Sequence, residues 1–298
     1  MLSRKRIITI IIILLLVFVY IDARMITDNQ GMATLFNVDI SYSGNLDWSS
    51  NGDYQYSSEV SGEETYAGAD LSSLRVVNSF GEVDIIGESR DDISIDYRIV
   101  VKAATDEILE RTVDQVALEL NQTGQELEVS TAKPGNRERI NISTYLTIRA
   151  PDELAIDLYS RFDDIRIENI VSQVAIDSSY GDVELSEITG PVDIEASFSN
   201  YRIKSVQEMI TGKLSYTDIV IDQLNSDLEL DLQFSDLDLY LSEGPDTWSY
   251  DLRTNFGSIN SRYDFQLTED GTRTSYNQRR DGQPLIRIDG RFTDITIH

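Results

Sequence analysis

The chain repeats itself every eighteen residues. "SRFDDIRI" (Ser160 to Ile167), "SSYGDVEL" (Ser178 to Leu185), "ASFSNYRI" (Ala196 to Ile203), "LSYTDIVI" (Leu214 to Ile221) and "LQFSDLDL" (Leu232 to Leu239) each carry an aromatic in third place. The same grammar recurs around Phe80, Phe256 and Phe292. A fixed period near twenty with two short strands per unit predicts a β-solenoid, whose coils bury their inner faces only by stacking on one another. Within each unit apolar residues alternate, slip phase at a small or polar pair, and resume. Alternation means a strand with one buried face, and the slip marks a corner.

Aligned on that period, the units form columns. One holds Ile156, Val174, Val192, Ile210 and Leu228. Others hold Ile165, Val183, Tyr201, Ile219 and Leu237, then Ile167, Leu185, Ile203, Ile221 and Leu239. Ile170, Ile188, Val206 and Leu224 close the coil. The aromatics Phe162, Tyr180, Phe198, Tyr216 and Phe234 form a column of their own, expected inside the stack, where Tyr180→Asp would bury an unpaired charge. Arg166, Glu184 and Arg202 are expected to face outward, as are Glu195, Lys213 and Asp231, and Lys204 opposite Asp222. Such charges set register by cross-strand pairing. Tyr159 and Tyr240 also point outward in this scheme.

Two segments interrupt the stack. Residues 87–150 are an α+β insertion: a strand from Ile93 to Val101, a helix "TDEILERTVDQV" capped by Thr105, a hairpin turning at Thr123-Gly124, and a strand ended by Pro151. Residues 263–284 are a hairpin insertion turning at Asp270-Gly271. The chain ends on "FTDITIH", so the last coil is expected to be the C-terminal edge of the stack, leaning on that hairpin.

Ahead of the repeat, residues 25–73 are polar and rich in Ser, Gly, Asn and Tyr, which reads as a tether with at most a short strand at Leu35 to Ile40. Residues 1–24 hold a basic stub (Arg4, Lys5, Arg6) and an apolar run from Ile7 to Ile21. That pattern predicts a single-pass transmembrane helix with the remainder outside the cytoplasm. Secretion after signal cleavage is the alternative. With no cysteine anywhere, packing and backbone ladders must hold the exported domain without disulfides.

The entry "IRAPDELAIDLYSRFDDIRI" followed by repeated aromatic–small–Asp/Asn corners resembles the DUF4097-type putative adhesin family, which includes LiaG-like bacterial envelope proteins. The resemblance covers Leu74 to His298. It implies a right-handed parallel β-solenoid, membrane-anchored or secreted, at the cell envelope.

Fifty-two acidic against twenty-five basic residues leave a net charge of −27, which excludes nucleic acid as a partner. The single histidine, His298, ends the chain, so no His-based triad or His-rich metal site can be built. No Gly-rich phosphate loop occurs. Acidic pairs such as Asp163-Asp164 and Asp91-Asp92 sit at corners, where nothing in the sequence separates their pKa values for acid–base work. The corner column Asp164, Asp182, Asn200, Asp218 and Asp236 stacks carboxylates one strand apart. Its aspartates can bond their own turns or, as the lesser alternative, hold Ca²⁺ at Asp164, Asp182, Asp218 and Asp236.

The sequence therefore predicts an all-β, non-enzymatic, cofactor-free scaffold or adhesin-like binding protein of the bacterial envelope. Its expected partner is an envelope macromolecule, either cell-wall glycan or protein. An accessory ectodomain of an envelope-stress system is the alternative, and a polysaccharide-active β-helix enzyme the minor one.

Overall fold

The computed structural model describes residues 54–135 and 139–298. The expected membrane anchor and the strand at Leu35 to Ile40 lie outside the described residues. Among those described, no helix is long and apolar enough to cross a membrane. They form nineteen strands and one α-helix, with all strands joined in one mixed sheet.

Parallel pairing at the repeat period builds the centre. β2 (Ser73–Glu88), β7 (Ala155–Glu168), β8 (Val174–Ile188) and β9 (Val192–Val206) each bend through a corner without losing their ladder. Register between β7, β8 and β9 is offset by eighteen residues, as in Ile156↔Val174↔Val192. The next two coils break at the corner into β10 (Ile210–Ser215) with β11 (Asp218–Leu224), and β12 (Leu228–Gln233) with β13 (Asp236–Leu241). Each half keeps the same parallel register.

The columns of Ile, Val and Leu form one continuous buried core, including Tyr201, Trp248 and Tyr250. Tyr201 stands in an otherwise aliphatic column, and its hydroxyl lies 2.6 Å from Ser178 Oγ. Small residues at Ser178 and Ala196 leave the room that a tyrosine needs.

The ends of the stack differ from the sequence expectation. The first insertion does not merely interrupt the repeat, because two of its strands continue it. β5 (Glu126–Ala132) pairs with the first half of β2, and β6 (Ile140–Pro151) pairs with the second half. Leu127, Val129, Leu146 and Ile148 thereby join the core. β3 (Asp92–Ala103) pairs antiparallel with β6, and β4 (Ala117–Thr123) forms the expected hairpin with β5. The helix α1 (Asp106–Val113) is capped by Thr105, whose Oγ accepts from the Ile108 amide at 3.3 Å. It covers a second small core around Ile99, Val101 and Leu109.

The polar segment before the repeat is not tether throughout. Tyr56–Ala67 forms β1, paired antiparallel with β3 along its whole length. Its alternation is weak because only one side meets protein, so composition hid it.

At the other end the last coil is not the edge. β18 (Leu285–Arg291) and β19 (Asp294–Ile297) slot between β12/β13 and the coil made by β14 (Ser249–Asn255) and β15 (Ile259–Ser261). The inserted hairpin, β16 (Thr268–Asp270) with β17 (Arg273–Gln278), covers β14. Had β18 followed on from β15, both of its neighbours could not be parallel strands of matching apolar pattern. Intercalation lets Ile286, Ile288, Ile295 and Ile297 be buried from both sides.

Candidate functional site

Four of the coils take a left-handed backbone at two corners, and the two corners use different residues. At one corner stand Asn169, Glu187, Ser205 and Gln223, with φ of 54–61°. At the other stand Phe80, Phe162, Tyr180, Phe198, Tyr216, Phe234, Phe256 and Phe292, with φ of 53–63°. A positive φ is uncommon for any residue with a Cβ and is unusual for a bulky ring. The polar corner shows that the turn itself asks for no aromatic. Something else selects the rings.

They are also on the outside, contrary to the sequence expectation. Phe80, Phe162, Tyr180, Phe198, Phe292 and Phe256 are 38–58% exposed, and Tyr216 and Phe234 are partly so. The reason is steric. After seven of the eight rings the next residue fills the concave side of the corner and is small or hydroxylic: Gly81, Gly181, Ser199, Thr217, Ser235, Gly257 and Thr293. Its hydroxyl turns back to the carbonyl two places earlier, as Thr217 Oγ1 does to Ser215 O at 3.0 Å and Ser235 Oγ to Gln233 O at 3.1 Å. At Gly181 an added Cβ would lie 1.9 Å from the Asp163 carbonyl oxygen. No ring fits there, so the rings take the convex side. The small residue at aromatic-plus-one was the available signal.

The rings stack face to face across coils, in the order Phe80, Phe162, Tyr180, Phe198, Tyr216, Phe234, Phe292, Phe256. Centroids are 4.6–5.0 Å apart and planes lie within 12° of parallel. Each stacked pair contributes about 0.5–1.5 kcal/mol beyond area burial, which offsets the left-handed backbone. Because faces are stacked, solvent meets mainly ring edges. The result is a continuous apolar ridge.

Two residues beyond the rings runs the acidic column. The carboxylates of Asp164, Asp182, Asp236 and Asp294 reach the neighbouring coil. Asp164 Oδ1 accepts from the Asp182 amide at 3.1 Å, and Asp182 Oδ1 accepts from Asn200 Nδ2 at 2.7 Å. Asp236 Oδ1 accepts from the Asp294 amide at 3.3 Å, and Asp294 Oδ1 from the Ser258 amide at 2.7 Å. Among the described residues no lysine or arginine pairs with Glu82, Asp164, Asp182, Asp218, Asp236 or Asp294. Nor does any group of three His, Cys, Asp or Glu among them converge as metal ligands would.

Some of the other outward charges are paired. Arg161 pairs with Asp177 at 2.9 Å, Arg287 with Glu229 at 3.2 Å, and Asp251 with Arg253 and Arg279 at 2.9 and 3.1 Å. Lys204 sits beside Asp222 in register, yet its ammonium reaches Glu184 at 2.8 Å and lowers that carboxyl's pKa. Tyr159 lies beneath Arg75, and Tyr240 stacks on His298 at 4.2 Å. The sheet faces between carry a shallow depression of about 550 Å³, lined by residues including Asp164, Arg166, Asp182 and Glu184.

One corner breaks the small-residue rule. Asp163 occupies the concave position and is 2% exposed, whereas Asp164 beside it is in water. It accepts from Ser160 Oγ at 2.5 Å and from Asn78 Nδ2 at 3.2 Å. Burial pushes its pKa up to about 6, against the pull of Ser160 and Lys133. The adjacent pair thus does have separated environments, which the sequence did not show. Asp163 does not line the depression that Asp164 borders.

No protein-family model and no curated protein matches the chain. Among solved structures it is similar to a "putative cell adhesion protein" from Clostridium sporogenes, at 10% identity and TM-score 0.31, covering 80% of this chain and 99% of that one. It is similar also to a "putative adhesin" from Bacteroides fragilis, at 11% identity and TM-score 0.41, covering 81% and 97%. A "putative lipid binding protein" from Parabacteroides distasonis gives 11% identity and TM-score 0.44, covering 80% and 96%. At this level of similarity they assign no site and no ligand.

Proposed function

We propose that this chain is a non-enzymatic scaffold and binding protein of the bacterial envelope, a right-handed β-solenoid held to the membrane by its N-terminal apolar run, with the aromatic ridge as its interaction surface. The observation that carries this reading is the contrast between corners. The same left-handed turn is made with polar residues on one side of the coil and with exposed rings on the other. Contiguous exposed apolar surface of this kind marks interaction sites. Among the described residues, shallow charged faces and a lone terminal histidine favour this reading over the polysaccharide-active alternative.

Ring edges rather than faces meet solvent, which favours a protein partner over flat sugar stacking. Residues 51–298 form a compact unit with its own core and can be tested alone. Isolated envelopes, separated into glycan sacculi and membrane-protein fractions, should capture this unit saturably, most strongly in the protein fraction. Absence of capture by either fraction would refute the binding role. The anchor is tested separately: the full chain should resist alkaline extraction from membranes, and release would indicate a secreted protein instead.

A further inference from the structure

We infer that the aromatic ridge and the acidic column beside it form one docking surface for a basic, apolar peptide segment of a partner protein. This rests on the ridge being the interaction surface and adds the chemistry of what it takes.

Three observations fix that chemistry. The ridge runs unbroken through seven centroid steps of 4.6–5.0 Å. Roughly 34 Å of apolar line results, the length of about twenty helical residues. The column alongside it has no lysine or arginine partner among the described residues, while Asp177, Glu184 and Glu229 elsewhere are paired. Asp164, Asp182 and Asp236 each accept one hydrogen bond from the neighbouring coil and stand exposed. A partner offering an apolar stripe flanked by Lys or Arg satisfies both features at once, and charge complementarity speeds its approach. A second copy of this chain would bring its own acidic column against this one. A glycan would need ring faces, which the stack conceals.

The repeat supplies substitutions that the fold already tolerates. Asn169 shows asparagine in a left-handed corner, and Asn200 shows it in the acidic column. The probe is a synthetic peptide of leucine and lysine, about twenty residues long, with one apolar and one basic face, titrated calorimetrically into residues 51–298. Binding should weaken about tenfold or more in Tyr180→Asn/Phe198→Asn/Tyr216→Asn. In Asp182→Asn/Asp218→Asn it should weaken and its salt dependence should become shallower. A lysine-only peptide and a leucine–glutamate peptide should each bind about tenfold more weakly than the probe.

Equal binding to wild type and the ring variant, or equal binding by the lysine-only peptide, would overturn the inference. Failure of the probe while envelopes still capture the protein would overturn the peptide chemistry and leave the binding role standing. Failure of both would remove both.

Discussion

At the scale of single residues, inside and outside are set by the corner, and stability should follow that division. Tyr180→Asn removes two stacking contacts at an exposed, left-handed position and should cost about 1–3 kcal/mol. Ile203→Ala, in the sealed column, should cost about 2–5 kcal/mol. Urea unfolding of the two variants checks the order, and a larger loss at Tyr180 would restore the rings to the interior. Asp163 gives a pH signature. Its folded pKa of about 6 lies above the ordinary 3.8, so the folded state keeps this proton to higher pH than the unfolded one. Its contribution is therefore fully present below pH 3.8 and is lost as pH rises through 6, a swing of up to about 3 kcal/mol. Asp163→Ser, matching Ser199 and Ser235 at the same place in other coils, should remove that component and be no less stable at pH 7. Unfolding free energies at pH 4.5 and 7 decide it, and an unchanged slope in the variant would show that Asp163 titrates normally.

Among the elements, strand existence and register were legible because eighteen-residue columns of Ile, Val and Leu leave few ways to stack. The helix was equally plain from Thr105 and the apolar spacing after it. Besides the continuation of the stack by β5 and β6, three things were not legible. β1 has one side in water and hence little pattern. The exposure of the rings depended on which side of a corner is crowded. The intercalation of β18 and β19 depended on a pairing that skips fifty-eight residues, as in Asp236↔Asp294, which no local period reports. That pairing makes the last coil a keystone. Removing residues 285–298 should uncover β12–β13 and β14–β15 together and abolish a cooperative thermal transition. Removing one central coil, Ile176 to Asp193, lets the columns re-register and should leave a shorter folded protein, whereas a nine-residue deletion should unfold it. Equal damage from the eighteen- and nine-residue deletions, by circular dichroism, would contradict the stacking.

For the whole molecule, the net charge of −27 is self-repelling, and the acidic column along the ridge has no lysine or arginine partner among the described residues. The melting temperature should rise as added salt screens the unpaired column, with NaCl and CaCl₂ equivalent once matched for ionic strength. A calcium-specific increment lost in Asp218→Asn would instead reveal a bound cation at Asp164, Asp182, Asp218 and Asp236. The central claim is that the aromatic corner serves recognition while the polar corner only turns the chain. The most direct measurement is capture by envelope protein of three forms of residues 51–298, with matched thermal unfolding. These are wild type, Tyr180→Asn/Phe198→Asn/Tyr216→Asn at the aromatic corner, and Glu187→Asn/Ser205→Asn/Gln223→Asn at the polar corner. Capture should persist in the polar-corner variant and collapse in the aromatic-corner variant while both remain folded. Equal capture of all three would show that the rings serve the fold alone.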